Sequence, residues 1–199
     1  MPKPYLYAMF TQPVYDDKTF EKIELTDGLT RHVEFQSCTF RNSDLSNSAF
    51  IRCKFLECTF EECNLSMVNF EGSTLNDARF KGSKLLAVNF SKCEDFLFGV
   101  SFEGCILDYA SFAGKKMVKT KFSRSSLKEV SFSQTNLTGS VFEECDLLET
   151  VFNRTDLTSV NFTTAYNYIL DPELNVLKKA IFAVSGLEGL LTKYGIKVV

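Results

Sequence analysis

The sequence has no tryptophan, one histidine and only four prolines among its 199 residues. Because His32 is the only histidine, a zinc set with two histidines lacks a member, and a histidine-dependent enzyme is not expected. No apolar run reaches the roughly 18 residues of a membrane span or the about 7 to 15 of a secretory signal core. The net charge of −3 is not that of a nucleic-acid binder. These absences predict a cytoplasmic, non-enzymatic protein without a cofactor that contacts neither membrane nor nucleic acid directly.

Phenylalanine is abundant instead, with 20 copies, and its spacing is regular. A large apolar residue recurs every five positions from Phe35 to Phe90 and, two residues out of phase, from Leu97 to Phe162. A small residue stands two positions before most of them. A period of five fits neither a helix nor a strand. The chain must therefore turn a corner every five residues, with one large and one small side chain pointing inward.

A second period of 20 residues groups the large side chains into four columns of mainly Leu or mainly Phe. Four corners per coil predict a square β-solenoid of about seven coils, in which like side chains stack between neighbouring coils. The seven cysteines fill small inward positions or continue that phase, as Cys93 does, and form no CxxC pair. We interpret them as buried small side chains rather than as metal ligands or disulfides.

Several five-residue units combine a small residue, an Asp or Asn and a central Leu. Examples are Ser43-Asp44-Leu45, Cys63-Asn64-Leu65, Thr135-Asn136-Leu137 and Thr155-Asp156-Leu157. These units resemble the A(D/N)Lxx consensus of pentapeptide repeat proteins, over about residues 20–182. The resemblance implies an all-β, right-handed quadrilateral β-helix; the handedness follows from the resemblance and not from the spacing.

The period also divides the chain. Residues 1–19 are expected to form an N-terminal extension, and residues 20–184 the β-helix, with a loosened coil at 163–176. The phase change places a two-residue insertion near 93–99, where Leu97 takes the inward position. Phe96 and Phe98 would then point outward, and either one of them tucks under the loop or they contact a partner. Lys115 breaks the pattern, because a small inward residue is expected there.

Residues 185–199 are expected to form a capping helix and tail. Ser185 to Glu188 has the sequence of a capping box, and Gly195 is placed to end the helix. A solenoid needs its open end covered, so a plain cap is one interpretation. The alternative is a cap that also forms a homodimer, because the segment carries more apolar residues than one end requires. The candidate dimer residues are Leu187, Leu190, Leu191, Tyr194, Ile196 and Val198.

Charge is unequal among the four sides. The outward positions around the first Leu column form an acidic side, which consists of Glu24, Asp27, Asp44, Asp108, Glu129, Asp146 and Glu149. A basic stretch follows the insertion and contains Lys115, Lys116, Lys119, Lys121, Arg124 and Lys128. The charges either serve solubility alone or let the acidic side bind a basic groove on a partner.

The length, the interrupted β-helix and the ending around Leu190-Leu191 and Gly195 to Val198 resemble the Qnr-type quinolone-resistance members of the family. That resemblance implies a rod-shaped dimer that imitates DNA and protects DNA gyrase or topoisomerase IV. The insertion is shorter here than the loops of those proteins, and the charge is modest for a DNA mimic. The alternative is an interaction scaffold unrelated to DNA, which uses the basic stretch or Phe96 and Phe98.

Overall fold

Strands of three or four residues recur along the chain in the computed structural model, which describes residues 9–196. They are β1 (Val14–Asp16), β2 (Thr19–Glu21), β3 (Leu29–Arg31), β4 (Glu34–Gln36), β5 (Thr39–Arg41), β6 (Ala49–Ile51), β7 (Lys54–Leu56), β8 (Thr59–Glu61), β9 (Thr74–Asn76), β10 (Ala78–Lys81), β11 (Val100–Glu103), β12 (Lys121–Ser123) and β13 (Val141–Glu143). All of their pairings are parallel, and the paired residues are 20 positions apart except across the insertion.

The four sides of the solenoid correspond to the four columns. The largest sheet takes one strand from each of seven successive coils, in the order β2, β5, β8, β10, β11, β12, β13. A second sheet contains β1, β4, β7 and β9, and a third contains β3 and β6. On the side of the first Leu column, neighbouring coils are joined by isolated β-bridges, such as the one between Asp44 and Asn64. The predicted all-β quadrilateral solenoid is confirmed, and β1 places its first rung within the segment assigned to the N-terminal extension.

Stacked rings fill the interior. Phe122 is fully buried, and its ring lies 4.8 Å from that of Phe142 at an interplanar angle of 4°. Rings of neighbouring columns meet edge to face, as Phe122 and Phe132 do at 5.7 Å and 81°. Both arrangements are favourable for aromatic pairs. Each coil therefore contacts its neighbours mainly through side chains 20 residues apart.

Corners are made by residues in the left-handed backbone region. Met67 and Glu129 have φ of 59° and 56°, although neither is glycine. Such a residue costs roughly 1–2 kcal/mol relative to its ordinary conformation. Hydrogen bonds to the next coil fix the corner, since the Glu129 N–H donates to the Leu148 carbonyl at 2.9 Å. The closed coil thus holds a conformation that an isolated pentapeptide would avoid.

Small polar side chains in the inward positions complete the hydrogen bonding between coils. The Ser73 hydroxyl accepts from the Cys53 N–H at 2.9 Å and donates to the Phe50 carbonyl at 2.6 Å. The Cys58 thiol makes a similar contact, 3.3 Å from the Phe35 carbonyl. Because buried backbone groups need partners, Ser, Thr and Cys suit these positions.

The seven thiols are free and buried, and they are expected to be inert in the folded protein. Burial raises the pKa of Cys58 and of Cys93 to about 12. Since the thiolate is the reactive form, a disulfide reagent such as DTNB should label none of the seven in native protein and all of them in urea. Stoichiometric labelling under native conditions would contradict this prediction.

The insertion lies on the side of the second sheet. Cys93 and Val100 are both buried, and the strand pairing across this segment joins residues 22 positions apart, such as Ala78 and Val100. The Leu97 side chain is 55% exposed, and Phe98 packs against the core in the position expected for Leu97. The prediction for Leu97 was therefore wrong. Phe98 does not point outward, while Phe96 does, so one of the two rings is tucked under the loop.

Lys115 explains how the insertion is held. Its side chain is only 1% exposed, and its ammonium donates to the Cys93 carbonyl at 2.5 Å and to Asp95 Oδ1 at 2.6 Å. The Nζ atom also lies 5.1 Å from the centre of the Phe98 ring. The prediction that Lys115 belongs to a basic surface stretch was wrong. Its side chain points inward, and its ammonium binds the Cys93 carbonyl and Asp95 of the insertion.

The C-terminal end is closed by a side chain from the last coil and by a short helix. Tyr168 is buried, with 4% of its surface exposed. The helix α1 (Glu188–Leu191) is flanked by 3₁₀ turns at Val184–Gly186 and Thr192–Tyr194, and another 3₁₀ turn spans Phe90–Lys92. The prediction of a capping box at Ser185 to Glu188 was wrong, because no side-chain hydrogen bond caps the 3₁₀ turn at Val184–Gly186 or the helix α1. Gly195 ends the helical segment with φ of 63°, as predicted.

Candidate partner-binding surfaces

The acidic side is divided in the structure. Glu24, Asp27 and Asp44 lie in the first coils, and Asp108, Glu129, Asp146 and Glu149 lie on three successive later rungs. Asn64 and Lys84 take the equivalent bridge positions on the two rungs between the groups. At about 4.8 Å per rung, the two groups are separated by roughly 15 Å. One continuous acidic strip is therefore not formed.

Aspartates on this side hold the backbone as well as carrying charge. Asp44 is half-buried and accepts from the Ser46 N–H at 2.9 Å. Asp108 accepts from the Ser126 hydroxyl at 2.6 Å and the Lys128 N–H at 3.1 Å. For Asp44, the sequence signal for this role is an Asp or Asn just before the central Leu, where its side chain can reach an amide two residues later.

The later group forms the C-terminal acidic cluster, which we define as Asp108, Glu129, Asp146 and Glu149. Glu129 and Glu149 are exposed corner residues with φ of 56° and 58°. Tyr109 is 58% exposed beside them, and the carboxylate of Glu129 raises the pKa of its hydroxyl. The sequence did not indicate Tyr109, because charge alone defined the acidic side.

One base lies inside this cluster. The Lys128 ammonium is 3.4 Å from Asp146 Oδ2, and the Asn167 amide also donates to Asp146 at 2.8 Å. Asp146 is therefore partly neutralised. The exposed carboxylates of Glu129 and Glu149 supply the charge that a partner would meet first.

Acid should destabilise the solenoid through its hydrogen-bonded aspartates. The hydroxyl and amide of Ser46 lower the pKa of Asp44, and those of Thr158 lower the pKa of Asp156. A lowered pKa in the folded state gives stability that is present above the unfolded value of about 3.9 and is lost as the pH falls through the folded value. The free energy of unfolding, measured in urea, should therefore decline below about pH 4.

Replacing the aspartates tests this assignment. Asp44→Asn and Asp156→Asn keep an acceptor oxygen for the amide but remove the titrating charge. The double variant should show a flatter pH dependence than the unchanged protein. An unchanged slope would contradict the role given to these two carboxylates.

The proposed dimer residues lie at the C-terminal end. Leu187, Tyr194 and Ile196 are 40%, 55% and 56% exposed. Leu190 instead packs against the core of the solenoid, and Leu191 is half-buried. Val198 lies outside the described residues.

Val184 adds to this apolar end with 87% of its surface exposed. The Tyr194 hydroxyl is tied down, since it donates to Glu173 Oε1 at 2.9 Å. Lys193 joins the same segment to the last coil through Asp171 at 2.6 Å. The exposed apolar side chains are thus presented by a segment that is fixed to the rod.

Few chemically reactive groups meet in the structure. His32 lies at an exposed corner with φ of 55°, whereas the seven thiols lie in the interior. Within residues 9–196, no group of three or more His, Cys, Asp or Glu side chains is arranged to hold a metal ion. In that same part of the chain, no helix has the length and apolar character needed to cross a bilayer.

A parallel solenoid with four sides, five residues per side and stacked Phe and Leu columns defines a narrow class of repeat proteins. The model of the pentapeptide repeat region matches residues 33–112. The model of eight-copy pentapeptide repeats matches residues 97–134 and 125–163. The chain belongs to the pentapeptide repeat family. No curated protein matches the sequence.

Solved structures with the same fold include QnrB1, described as a plasmid-mediated fluoroquinolone resistance protein. A trypsin-treated variant of QnrB1 superposes with a TM-score of 0.67 and 16% identity, covering 94% of this chain and 91% of the other. Full-length QnrB1 gives a TM-score of 0.61 and 15% identity, covering 92% of this chain and 100% of the other. At this identity the likeness shows a shared fold.

Proposed function

We propose that this protein is a non-enzymatic cytoplasmic protein that binds a type II topoisomerase, DNA gyrase or topoisomerase IV, and protects or modulates it. The observation that carries the proposal is the C-terminal acidic cluster, four carboxylates on three successive rungs of one side. The enzyme surface that normally receives DNA is basic, so a rigid acidic side has the complementary charge. QnrB1, which shares this fold, is described as a fluoroquinolone resistance protein, which is consistent with a partner that fluoroquinolones inhibit.

The imitation of DNA is local in this proposal. B-form DNA carries one phosphate charge per about 1.7 Å of its axis, whereas the cluster has four carboxylates over three rungs. The middle of the same side carries Lys84, Met67 and Ala87. We therefore expect the cluster to engage one part of a DNA-binding groove rather than to replace a long duplex.

Dimerisation is the second part of the proposal. A second copy is expected to pack against the exposed side chains of Val184, Leu187, Tyr194 and Ile196. Two chains of 22.5 kDa each should sediment at about 45 kDa at micromolar concentration. A monomer at that concentration would contradict this part.

A gyrase supercoiling assay tests the proposed partner. The unchanged protein should alter supercoiling, or its inhibition by ciprofloxacin, in a dose-dependent way. The double variant Glu129→Lys and Glu149→Lys should abolish the effect. Lysine is compatible with a corner, because Lys119 has φ of 59° there. An assay with no effect at a large molar excess of the unchanged protein would contradict the proposal.

A matched control separates the cluster from net charge. Glu57→Lys and Glu62→Lys change the same number of charges at exposed corners, with φ of 55° and 53°, away from the C-terminal acidic cluster. This control should keep the gyrase effect. Equal loss in both double variants would show that overall charge, rather than the C-terminal acidic cluster, determines the interaction.

A further inference from the structure

The insertion presents two neighbouring apolar side chains to solvent. Phe96 is 76% exposed and Leu97 is 55% exposed; we call this pair the apolar knob. Single exposed apolar residues are common on protein surfaces. Two of them at the tip of the insertion, with a ring among them, form the kind of anchor that dominates binding at protein interfaces.

The loop that carries the knob is held by backbone hydrogen bonds at both of its ends and by a side chain from inside the solenoid. The Glu94 N–H donates to the Ser73 carbonyl at 2.9 Å, and the Gly99 N–H donates to the Leu75 carbonyl at 2.8 Å. Lys115 supplies the support from inside through the Cys93 carbonyl and Asp95. Burying an ammonium is costly, whereas a small side chain occupies the equivalent position elsewhere. A fixed loop loses less conformational entropy when a partner binds.

A basic surface follows the knob on the next rung of the same side. Val118 is 41% exposed and lies between Lys116 and Lys119, which are both exposed. Neither lysine forms an ion pair with any residue in the range 9–196. The rung after that is uncharged at Asn136 and Thr138. Glu94, an exposed acid of the same loop, directs its carboxylate toward Gly72 of the preceding coil. The flank of the knob on the next coil is therefore positive.

We propose that the apolar knob, Val118, Lys116 and Lys119 form a docking surface for an acidic amphipathic segment of another protein. The partner's apolar side chains cover Phe96 and Leu97, and its carboxylates face the two lysines. This surface lies two sides away from the C-terminal acidic cluster on the four-sided rod. The rod can therefore hold one partner on each of two opposite sides, a role beyond binding a topoisomerase.

Fluorescence anisotropy with two labelled peptides tests the proposal. One is an amphipathic peptide of Leu, Phe and Glu, and the other has every Glu replaced by Lys. The full-length protein should bind the acidic peptide, at least about tenfold more tightly than the basic one, and more weakly as salt is raised. Equal binding of the two peptides, or binding of neither, overturns the proposal.

Variants locate the site. Phe96→Asp should weaken binding of the acidic peptide at least about tenfold, and Lys116→Glu with Lys119→Glu should remove the preference for the acidic peptide. Met67→Asp is the control, because it removes a side chain that is 62% exposed from the opposite side. Urea unfolding verifies that each variant is folded. Unchanged affinity in Phe96→Asp, or equal loss in Met67→Asp, would overturn the assignment.

A lipid surface is the competing occupant, because an apolar knob with lysines also suits anionic headgroups. Sedimentation with vesicles of phosphatidylglycerol and phosphatidylcholine distinguishes the two. Binding to these vesicles that depends on Phe96, together with no preference for the acidic peptide, would replace the protein partner with a membrane. Absence of vesicle binding, with the acidic peptide bound, supports the proposal.

Discussion

Replacing Phe122 with alanine is expected to lower the free energy of unfolding by about 3–5 kcal/mol. The ring is fully buried, and it stacks on Phe102 at 5.3 Å and on Phe142 at 4.8 Å. No neighbour can fill the space, because each of these rings is held in its own rung. A domain is typically stable by about 5–15 kcal/mol, so the loss is a large fraction of the total.

Urea unfolding followed by circular dichroism measures this loss. Phe96→Ala is the matched control, since the same side chain is removed from a position that is 76% exposed. Its effect should stay within about 0.5 kcal/mol. Similar losses in the two variants would mean that the Phe columns do not carry the stability of the rod.

Adding one methyl group at Gly189 is expected to release the C-terminal cap. A Cβ atom there would lie 2.1 Å from the Tyr168 carbonyl oxygen, which is backbone and cannot rotate away. The same glycine carbonyl accepts from the Leu170 N–H at 2.9 Å, so the helix and the last coil are joined at this point. Gly189→Ala should cost about 1–3 kcal/mol and expose α1 to hydrogen exchange.

Hydrogen exchange by mass spectrometry should localise the effect to the last coil and residues 184–194. Gly114→Ala is a useful comparison, because nothing lies within 4 Å of its Cβ position and only its φ of 77° opposes the change. It should leave exchange in the cap unaltered. If the cap does not depend on the packing of Gly189 against Tyr168, both variants will leave its amides protected from hydrogen exchange.

Tyr168→Phe tests whether the ring of Tyr168 or its hydroxyl stabilises this end of the solenoid. The Tyr168 hydroxyl is buried, and no partner for it lies within the described residues. Removing a buried polar group without a partner costs little or is stabilising. We therefore expect the free energy of unfolding of Tyr168→Phe to match or exceed that of the unchanged protein, in contrast to Gly189→Ala.

The five-residue period made the interior predictable, because each inward position is set by counting from the last corner. Counting fails where residues are inserted. Phe96, Leu97 and Phe98 all suit one inward position, and packing beside Phe90 and Lys115 selects Phe98. The inward direction of Lys115 depends on the Cys93 carbonyl and Asp95, which become available only through that choice.

The sequence indicates which residues lie on the acidic side, but not whether they form one continuous strip. The position of Asp44 or Asp108 relative to the central Leu gives its side, yet their hydrogen bonds to backbone amides depend on the fold. The cap was least predictable. The five-residue count puts Asn167 in the inward position, but Tyr168 is the residue that is buried there. The count fails because the last coil has no following coil to specify its register.

Partners across the sheets are almost all 20 residues apart, and this has a consequence for the speed of folding. In a chain of 199 residues, that separation corresponds to a relative contact order of about 0.1, in the range of helical bundles. Parallel sheets usually form slowly because their strands are distant in sequence. This rod should instead fold quickly, by adding one coil after another to whichever coil closes first.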